Sequence, residues 1–592
     1  MSDQLLRYYE RELAYVRRAM TAYAQRHPEQ AAKLHIDQNS IEDPNINRLI
    51  DGMALLTAKT EERLDNRFPE IVQGLLSTLY PGYNQILPSY CALQLDAAPE
   101  DLSEAVHLPA KSPVSIATPD GRECRFSTLD DLHIQPYSLT DVAAQTAPFV
   151  NKPASVRNAE AVIQLRVSCA DPEARFSQLD VGHFDFYVRG FEQNSASLIE
   201  LLLTQTEAIV LSDVSEQQQC SLDVSRMHSR IADPQFNWLP RYGNQFGGFD
   251  MLRDYFTYPD KAAYFRISDL GNEMAALDAS ELLLSLYVRE LPAEFLRLFN
   301  TDVFSLNTVP ALNLFKQPGE PMSYDFSRLS VPVMADSEAD SNLEVVAVDG
   351  VREIHSDGEY PLRPLYKSSY RQPVDARQWQ TVQRWDKTGK RNMELTISCQ
   401  NSDLQQDRIV LALDLWCCNG RHPCVIKAGA LAESQAAIDL PGELKVLRAP
   451  SAPQYPVLDE SLNWRFIALL NANFASLLQT DEPAAALQEV LSLCNHRHTC
   501  RQADSIKDVS YEQQVAPMTI CGENIFAAGT RVSVVLDAAV MSGQSAVFAA
   551  VLNGLFLQFC SYDRFIEVDV SHFGDDRFRQ TFPRVHGSQL CL

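Results

Sequence analysis

The sequence predicts an α+β protein of several domains, in which an N-terminal helical segment precedes strand-rich, sandwich- or barrel-like domains and a mixed α/β C-terminal domain. Three observations predict this class. Apolar residues recur every three or four positions up to residue 80, they alternate from residue 88 onward, and 592 residues exceed what one hydrophobic core usually serves. We therefore expect five regions, namely 1–87, 88–230, 231–335, 336–460 and 461–592.

The first predicted helix runs from about Asp3 to Arg26 and is amphipathic. Its apolar stripe follows spacings of three and four residues, which is typical of a helix that packs lengthwise on another helix. The stripe packs either on another helix of the same chain or on a partner chain, and its spacing alone is equally consistent with both. The stripe consists of Leu6, Tyr9, Leu13, Val16, Met20 and Tyr23.

Two more helices are predicted before residue 81. The second begins at Asp43 and Pro44, because an N-cap residue followed by proline favours a helix start. The third runs from Pro69 to Tyr80 and ends at the following Pro-Gly pair. Together they complete a helical bundle, or half of a bundle shared with a partner. One face of the second helix carries Ile46, Leu49, Met53 and Leu56.

From Pro88 the apolar period changes to two, since Cys91, Leu93 and Leu95 alternate with smaller or polar residues. Further alternating runs separated by Pro, Gly and Asp predict a sandwich or barrel up to about residue 230. A helix over 195–204 is expected within this region, from the spacing of its leucines.

Ten aromatic residues lie between Phe236 and Phe265. Such density indicates either a deep core or a contact surface, and a ligand-binding β domain is one alternative function for the region. A helix is also expected over 292–299. After a second strand-rich region, residues 463–496 become helical. The last hundred residues then alternate strand and helix, which predicts a small α/β or α+β domain.

The formal net charge of −26 argues against nucleic acid as a partner, because a phosphate backbone would be repelled. The N-terminus lacks the apolar core of a signal peptide, so we expect a cytoplasmic protein with reduced cysteines. The longest apolar run, Ala546 to Cys560, is shorter than the roughly 20 residues of a membrane-spanning helix. Direct membrane insertion is therefore not expected.

A cluster of cysteine and histidine residues near residue 497 is the sharpest metal-like motif. Thiolate and imidazole are zinc ligands, and a zinc-dependent hydrolase is accordingly an alternative function. However, structural zinc sites usually combine two separated ligand pairs, so the sequence favours a polar helix end over a metal site. The cluster consists of Cys494, His496, His498 and Cys500.

Other catalytic motifs are missing from the sequence. The segment KTGKR at 387–391 lacks the first glycine and the final Ser/Thr of a phosphate-binding loop. Neither G-x-S-x-G nor H-E-x-x-H occurs, and the WCCNGRHPC segment places two adjacent cysteines on opposite faces of a strand. We therefore predict a protein that is not an enzyme and that needs no cofactor.

Several blocks spread over nearly the whole chain resemble one family. They include YYERELAYVRR, DPNINRLIDGMALLTAKTEERLDNRFPE, PRYGNQFGGFDMLRDYFTYPDKAAYFRI, NTVPALNLF, CCNGRHP and NWRFIALLNANFASLL. These blocks resemble TssF, a baseplate subunit of bacterial type VI secretion systems. The residues that match the family motifs most clearly are Asp43, Pro44, Tyr255, Phe256, Pro259, Asn419, Trp464, Arg465 and Asn473.

The resemblance implies a non-catalytic structural protein. In the family, two TssF copies embrace one TssG as the core of a baseplate wedge, which recruits TssK and TssE. Six wedges surround the VgrG hub at the cytoplasmic face of the inner membrane and nucleate the contractile sheath and the inner tube. The implied partners are therefore TssG, a second copy of TssF, TssK, TssE, the VgrG hub and the sheath proteins. The resemblance also favours a helical bundle shared between chains, so we predict that the apolar stripe of the first helix binds a partner chain.

Two positions depart from the family pattern. The arginine that usually follows the motif asparagine is Gly420 here, with Arg421 one place later. Where the family often has glycine after Leu-Pro, this chain has Ala110 and Lys111. We expect the second departure to change one turn.

Overall fold

The computed structural model of the chain describes most of its residues. Those described are 3–29, 44–65, 69–97, 101–102, 105–149, 151, 153, 156–191, 195–216, 218–233, 235–240, 247–326, 328–336, 343–365, 377–385, 391–398, 408–456, 460–470, 480–495, 500–520, 523–541, 543–560 and 564–587.

The chain divides into two compact units. Unit 1 comprises Met1–Leu76 and Leu458–Trp464, and unit 2 comprises Ser77–Val457 and Arg465–Leu592. Unit 1 is helical in its described residues, whereas unit 2 contains all the described strands. No helix among the described residues is long and apolar enough to cross a bilayer.

The helices occur at the start of the chain, in the middle of unit 2 and near the C-terminus. Each is short enough to be typical of globular domains. They are α1 (Asp3–Arg26), α2 (Pro44–Asp65), α3 (Pro69–Leu79), α4 (Ser195–Gln205), α5 (Gly247–Thr257), α6 (Gly271–Ala276), α7 (Glu460–Leu470), α8 (Pro483–Cys494), α9 (Arg501–Asp504), α10 (Ala538–Met541) and α11 (Ser545–Phe559).

The strands of the first half of unit 2 are mostly short. They are β1 (Tyr90–Asp96), β2 (Val106–Leu108), β3 (Pro113–Ala117), β4 (Glu123–Thr128), β5 (Leu132–Ile134), β6 (Tyr137–Thr146), β7 (Ala161–Cys169), β8 (Phe184–Val188), β9 (Thr206–Asp213), β10 (Gln219–Leu222), β11 (Met227–Ser229), β12 (Tyr264–Ile267), β13 (Glu281–Val288) and β14 (Phe304–Ser305).

The second half contains the longest strands. They are β15 (Thr308–Leu312), β16 (Phe315–Pro318), β17 (Met322–Tyr324), β18 (Val331–Pro332), β19 (Glu344–His355), β20 (Gly358–Pro364), β21 (Gln378–Trp385), β22 (Arg391–Ile397), β23 (Ile409–Cys418), β24 (Leu431–Ser434), β25 (Glu443–Arg448), β26 (Ile506–Ile520), β27 (Glu523–Leu536), β28 (Arg564–His572), β29 (Asp575–Thr581) and β30 (Val585–His586).

A closed barrel forms the first core of unit 2, with the strand order β1-β15-β4-β3-β24-β25. Inward residues such as Leu93, Phe126 and Val446 are fully buried, because alternate side chains of each barrel strand point inside. The barrel combines strands from three of the five predicted regions. The predicted boundaries near residues 230 and 335 therefore separate, along the sequence, strands that belong to the same barrel. The division into five regions stays a prediction.

Besides the barrel and the C-terminal sheet, the described residues of unit 2 form four further sheets. Two smaller sheets have the orders β10-β9-β13-β7-β6 and β11-β12-β8-β14. A larger sheet follows the order β16-β23-β19-β20-β21-β22-β18, with β17 also paired to β23. The strands β2 and β5 pair only with each other in the described part of the chain. The mixed class that the sequence predicts is therefore confirmed.

The C-terminal sheet has the order β26-β27-β28-β29, with β30 on β28. Strands β27 and β28 are parallel, and the chain between them contains α11, so this part is a β-α-β unit. Helix α11 is buried along most of its length, which explains why its sequence is apolar all round. The predicted terminal α/β or α+β domain is consistent with this unit.

The predicted helix over 292–299 is wrong. Residues 293–298 form successive turns, in which the Phe295 N–H donates to the Pro292 carbonyl and the Leu298 N–H donates to the Phe295 carbonyl. These bonds span three residues rather than four, so the apolar spacing there reflects tight turns and not an α-helix.

Gly529 in β27 allows a close contact with the next strand. It lies opposite Phe565 of β28, and a Cβ at position 529 would stand 2.4 Å from the phenyl ring. We expect Gly529→Ala to lower the free energy of unfolding by about 1–3 kcal/mol, because the buried ring must move. Differential scanning calorimetry measures this change.

Gly52→Ala is the matched control, because the added Cβ in the middle of α2 would have no atom within 4 Å among the described residues, apart from its chain neighbours and the backbone of its own helix. That substitution is expected to stabilise the helix by up to about 1 kcal/mol. Equal effects of the two alanines on the unfolding transitions would contradict the close-contact interpretation.

Candidate assembly surface

Helix α1 packs antiparallel to α2 inside unit 1. The two helices contact each other, and Arg11 near the start of α1 forms an ion pair with Glu61 near the end of α2. The predicted α1 stripe is only partly covered in this arrangement. Its members are either half-buried (Tyr9, Leu13, Val16 and Met20) or exposed (Leu6 and Tyr23).

Helix α2 has two apolar faces of different exposure. Ile50, Ala54 and Ala58 are buried at spacings of four residues. On another face Leu49, Met53 and Leu56 are 69%, 61% and 67% exposed. The sequence predicted the second face as an apolar stripe without indicating that it lies outside; Ile46, its fourth predicted member, has no described side chain. Three large apolar residues on successive turns and open to solvent are typical of a binding surface.

Exposed apolar residues are concentrated in unit 1. This unit holds 83 of the 592 residues, yet it carries 8 of the 23 large apolar side chains that are exposed among the described residues. Because scattered exposed apolar residues are normal but clusters are not, the concentration marks unit 1 as the candidate assembly surface. The eight are Leu6, Tyr15, Tyr23, Leu49, Met53, Leu56, Ile71 and Trp464.

In unit 2, the segment after α3 is fixed by a buried arginine. The guanidinium of Arg253 donates to the carbonyls of Gly82 and Tyr83 at 3.0 and 3.3 Å, and it lies over the rings of Tyr80 and Tyr83. Burial raises the pKa of the Tyr80 phenol well above its usual value, so the phenol stays protonated and donates to Asp250. These bonds hold the turn after α3 on α5.

A buried ion pair connects α5 with the following 3₁₀ turn. The Lys261 ammonium lies 2.5 Å from a carboxylate oxygen of Asp254, and both side chains are at most 2% exposed. The same oxygen accepts from the Trp238 backbone N–H at 3.4 Å, and the Lys261 nitrogen lies 5.5 Å from the centre of the Phe236 ring. Because both charged groups are shielded from solvent, their attraction is stronger than that of a surface ion pair.

The aromatic-rich region forms a closed core in its described residues. Trp238, Tyr258 and Phe265 are at most 1% exposed, and Trp238 contacts the rings of Phe236 and Tyr264. The Tyr258 hydroxyl donates to the Pro88 carbonyl. Since these rings pack on one another, their density reflects a deep core rather than a ligand surface.

The family-motif residues have different environments. Tyr255 is buried and accepts a hydrogen bond from the Gln502 amide, and Phe256 is half-buried. Pro259 is exposed and begins the 3₁₀ turn. Arg465 pairs with Glu489 at 2.8 Å on the surface. Asp43 and Asn473 lie outside the described residues. Pro44 is the first residue of α2, and Trp464 is 42% exposed in unit 1.

Asn419 joins three parts of unit 2. Its backbone N–H donates to the Asn313 side chain at 2.8 Å, and its own side-chain oxygen accepts from the Arg125 backbone N–H at 3.0 Å. These bonds connect the ends of β15 and β23 with β4. The motif asparagine therefore has a structural role that the sequence alone did not show.

The two departures from the family pattern occur at left-handed backbone positions. Gly420 has a φ of 54°, and a Cβ there would lie 2.7 Å from the Glu344 carboxylate. Lys111 has a φ of 66°, so this turn keeps a conformation that favours glycine although lysine occupies it.

The cysteine–histidine cluster near residue 497, for which zinc binding is the alternative to a polar helix end, is only partly described. Cys494 and Cys500 are buried, and burial raises the pKa of the Cys494 thiol to about 12 and that of Cys500 above its usual value. Such thiols resist the deprotonation that zinc binding requires. His496 and His498 lie outside the described residues.

A buried serine meets a half-buried histidine at the start of α11, a contact that sequence motifs could not reveal. Ser545 Oγ lies 2.8 Å from His572 Nε2, and Ser545 is 2% exposed. The Glu200 carboxylate accepts from the Ala546 N–H at 2.9 and 3.0 Å, and burial raises the pKa of Glu200 to about 7. Because Glu200 covers the helix N-terminus and Ser545 is closed to solvent, the pair has no room for an acyl substrate.

Exposed helix faces in unit 1, together with closed cores in unit 2, are typical of a structural subunit that assembles with other protein chains. Comparison with known families agrees with this class. The chain belongs to the type VI secretion system TssF family, whose model matches residues 1–589.

Known relatives and structures extend this result over the chain. The type VI secretion system component TssF1 of Pseudomonas aeruginosa is 23% identical over 610 residues, which cover 96% of this chain and 95% of the relative. A chain of the type VI secretion system TssK-TssF-TssG baseplate subcomplex matches with a TM-score of 0.74 and 21% identity, over 92% of this chain and 99% of its own.

A second solved structure, of the baseplate complex from the type VI secretion system, matches with a TM-score of 0.56 and 19% identity, over 99% of this chain and 100% of its own. At these identities the two structural matches establish a shared fold.

Proposed function

We propose that this chain is a non-catalytic structural subunit of a type VI secretion baseplate wedge. Two copies bind one TssG, and the wedge also contains TssK and TssE. Six wedges surround the VgrG hub at the cytoplasmic face of the inner membrane, where they nucleate the sheath and the inner tube. The function is conformational, since the wedge holds the arrangement before firing and altered contacts release the sheath.

The observation that carries this proposal is the exposed Leu49–Met53–Leu56 face of α2 in a chain of the TssF family. An apolar face of this kind is covered when partner helices complete the bundle. The α1 stripe in the same unit is only partly covered, which also supports a bundle shared between chains. The spacing of the stripe residues alone is equally consistent with packing within one chain.

Co-expression tests the proposal. The full chain with cognate TssG and TssK is expected to elute as one complex in size-exclusion chromatography, with light scattering giving two copies of this chain for each TssG. The purified chain at micromolar concentration should also bind purified TssG. Failure of both experiments with folded proteins would contradict the proposal.

Enzymatic activity provides a separate test. A zinc hydrolase at Cys494–Cys500 predicts stoichiometric metal bound by cysteine, while the buried thiols of both residues argue against it. Turnover of a substrate by the highly purified chain alone, lost on Cys500→Ser, would replace the structural proposal. Normal type VI secretion by bacteria that lack this chain would also contradict the structural proposal.

Charge on α1 is expected to weaken assembly more than it weakens folding. Leu13→Asp or Val16→Asp should reduce TssG capture at least tenfold, because an unpaired carboxylate would enter the shared bundle. Both residues are half-buried, so a moderate loss of stability accompanies the change. Capture at the wild-type level, or complete insolubility alone, would contradict this order of effects.

A further inference from the structure

Two histidines lie directly opposite each other on a small two-stranded sheet of unit 2. His107 of β2 and His133 of β5 are cross-strand neighbours in the antiparallel register. Their rings stack with centres 4.6 Å apart and an interplanar angle of 10°. They are 26 positions apart in the sequence, so no local motif indicates the pair.

Asp131 completes the cluster. Its Oδ1 atom lies 3.4 Å from His107 Nε2 and accepts from the Ala110 backbone N–H at 2.8 Å, which fixes the carboxylate. One possible ligand atom from each of His107, Asp131 and His133 lies within 4.8 Å of the other two. Among the described residues, no other group of three histidine, cysteine or acidic side chains meets this condition.

The surroundings admit an ion. All three side chains are exposed, and Asp131 and His133 line a cavity of about 340 Å³. His183 lies at the same cavity with its ring centre 6.3 Å from that of His133, and its Nε2 atom lies 3.4 Å from Asp185. Asp185 is in turn held by two 2.6 Å bonds from Arg266, so it stays ionised and orients His183.

The three side chains are of the types that bind transition metals, since they supply two imidazoles and one carboxylate. Neutral imidazole and carboxylate are ligands for zinc at about 2.0–2.2 Å, which places neighbouring ligand atoms roughly 3.3 Å apart. Small rotations of exposed side chains bring the present atoms to that separation.

We propose that His107, Asp131 and His133 form a binding site for a divalent transition-metal ion such as zinc, with water in the fourth position. The ion links β2 to β5, two strands of three residues each, and stabilises this small sheet. The inference is independent of the proposed baseplate function, because it concerns the isolated chain.

Calorimetric titration of the untagged, chelator-treated full chain with ZnCl₂ at pH 7.5 tests the site. We expect one equivalent to bind, with the dissociation constant raised at least tenfold by His107→Ala and by His133→Ala. Binding should weaken as the pH falls from 7.5 to 5.5, because protons compete for the imidazole nitrogens. With Co²⁺ as the probe, the absorption spectrum should lack a thiolate-to-metal band.

His355→Ala is the matched control. His355 is also an exposed strand histidine next to a carboxylate, with its Nε2 atom 3.1 Å from Glu353, but no second histidine joins it in the described structure. Circular dichroism should show all three variants folded, with melting temperatures within a few degrees of wild type. The site is refuted if no zinc binds, if either cluster variant binds like wild type, if His355→Ala weakens binding equally, or if the Co²⁺ spectrum shows thiolate ligands.

Discussion

Met53→Asp is expected to reduce the affinity for TssG at least 100-fold while leaving the fold of the isolated chain intact. Met53 is 61% exposed, so a carboxylate there stays hydrated in the free chain. In a completed bundle the same carboxylate would be buried without a partner, which costs several kcal/mol. Surface plasmon resonance with immobilised TssG measures the affinity, and the melting temperature reports the fold.

Lys59→Asp is the control for this prediction. Lys59 is exposed on the same helix, about 120° around the helix axis from Met53 and one turn beyond Leu56, so it borders the Leu49–Met53–Leu56 face. A carboxylate at this rim position keeps its contact with water in a completed bundle. The Lys59→Asp substitution introduces the same side chain as Met53→Asp and a larger change in charge. It should nevertheless change the affinity for TssG less than threefold. If both variants bind TssG equally well, the exposed face of α2 is not part of the assembly surface.

Lys261→Met is expected to destabilise unit 2 by about 3–5 kcal/mol, because it removes the ammonium group that lies 2.5 Å from the buried Asp254 carboxylate. The soluble yield should fall sharply, and the urea midpoint of the unit 2 transition should drop. Trp238, whose backbone N–H donates to Asp254, makes tryptophan fluorescence a suitable probe.

Asp254→Asn combined with Lys261→Met should recover much of the lost stability, since neither buried charge then remains. The amide oxygen of asparagine can still accept from the Trp238 N–H. If Lys261→Met alone unfolds at the wild-type urea concentration, or if the double variant is no more stable than the single one, the ion pair does not hold this core together.

Local sequence patterns determined much of the architecture. The spacing of apolar residues predicted α1, α2 and α3 within a few residues, since a helix face repeats every 3.6 residues whatever lies against it. The change to alternation at residue 88 predicted β1 and the strand-rich class. Sequence blocks along the chain identified the TssF family, which the family model then matched over residues 1–589.

The tertiary structure alone decided which surfaces are covered and which remote residues meet. Periodicity defines an apolar face but not its neighbour, so only the structure showed Leu49, Met53 and Leu56 outside and Ile50, Ala54 and Ala58 inside. The barrel joins β1 to β15 and β25, and the histidine cluster joins β2 to β5. These pairings depend on long-range packing and strand register, which no local pattern of side chains encodes.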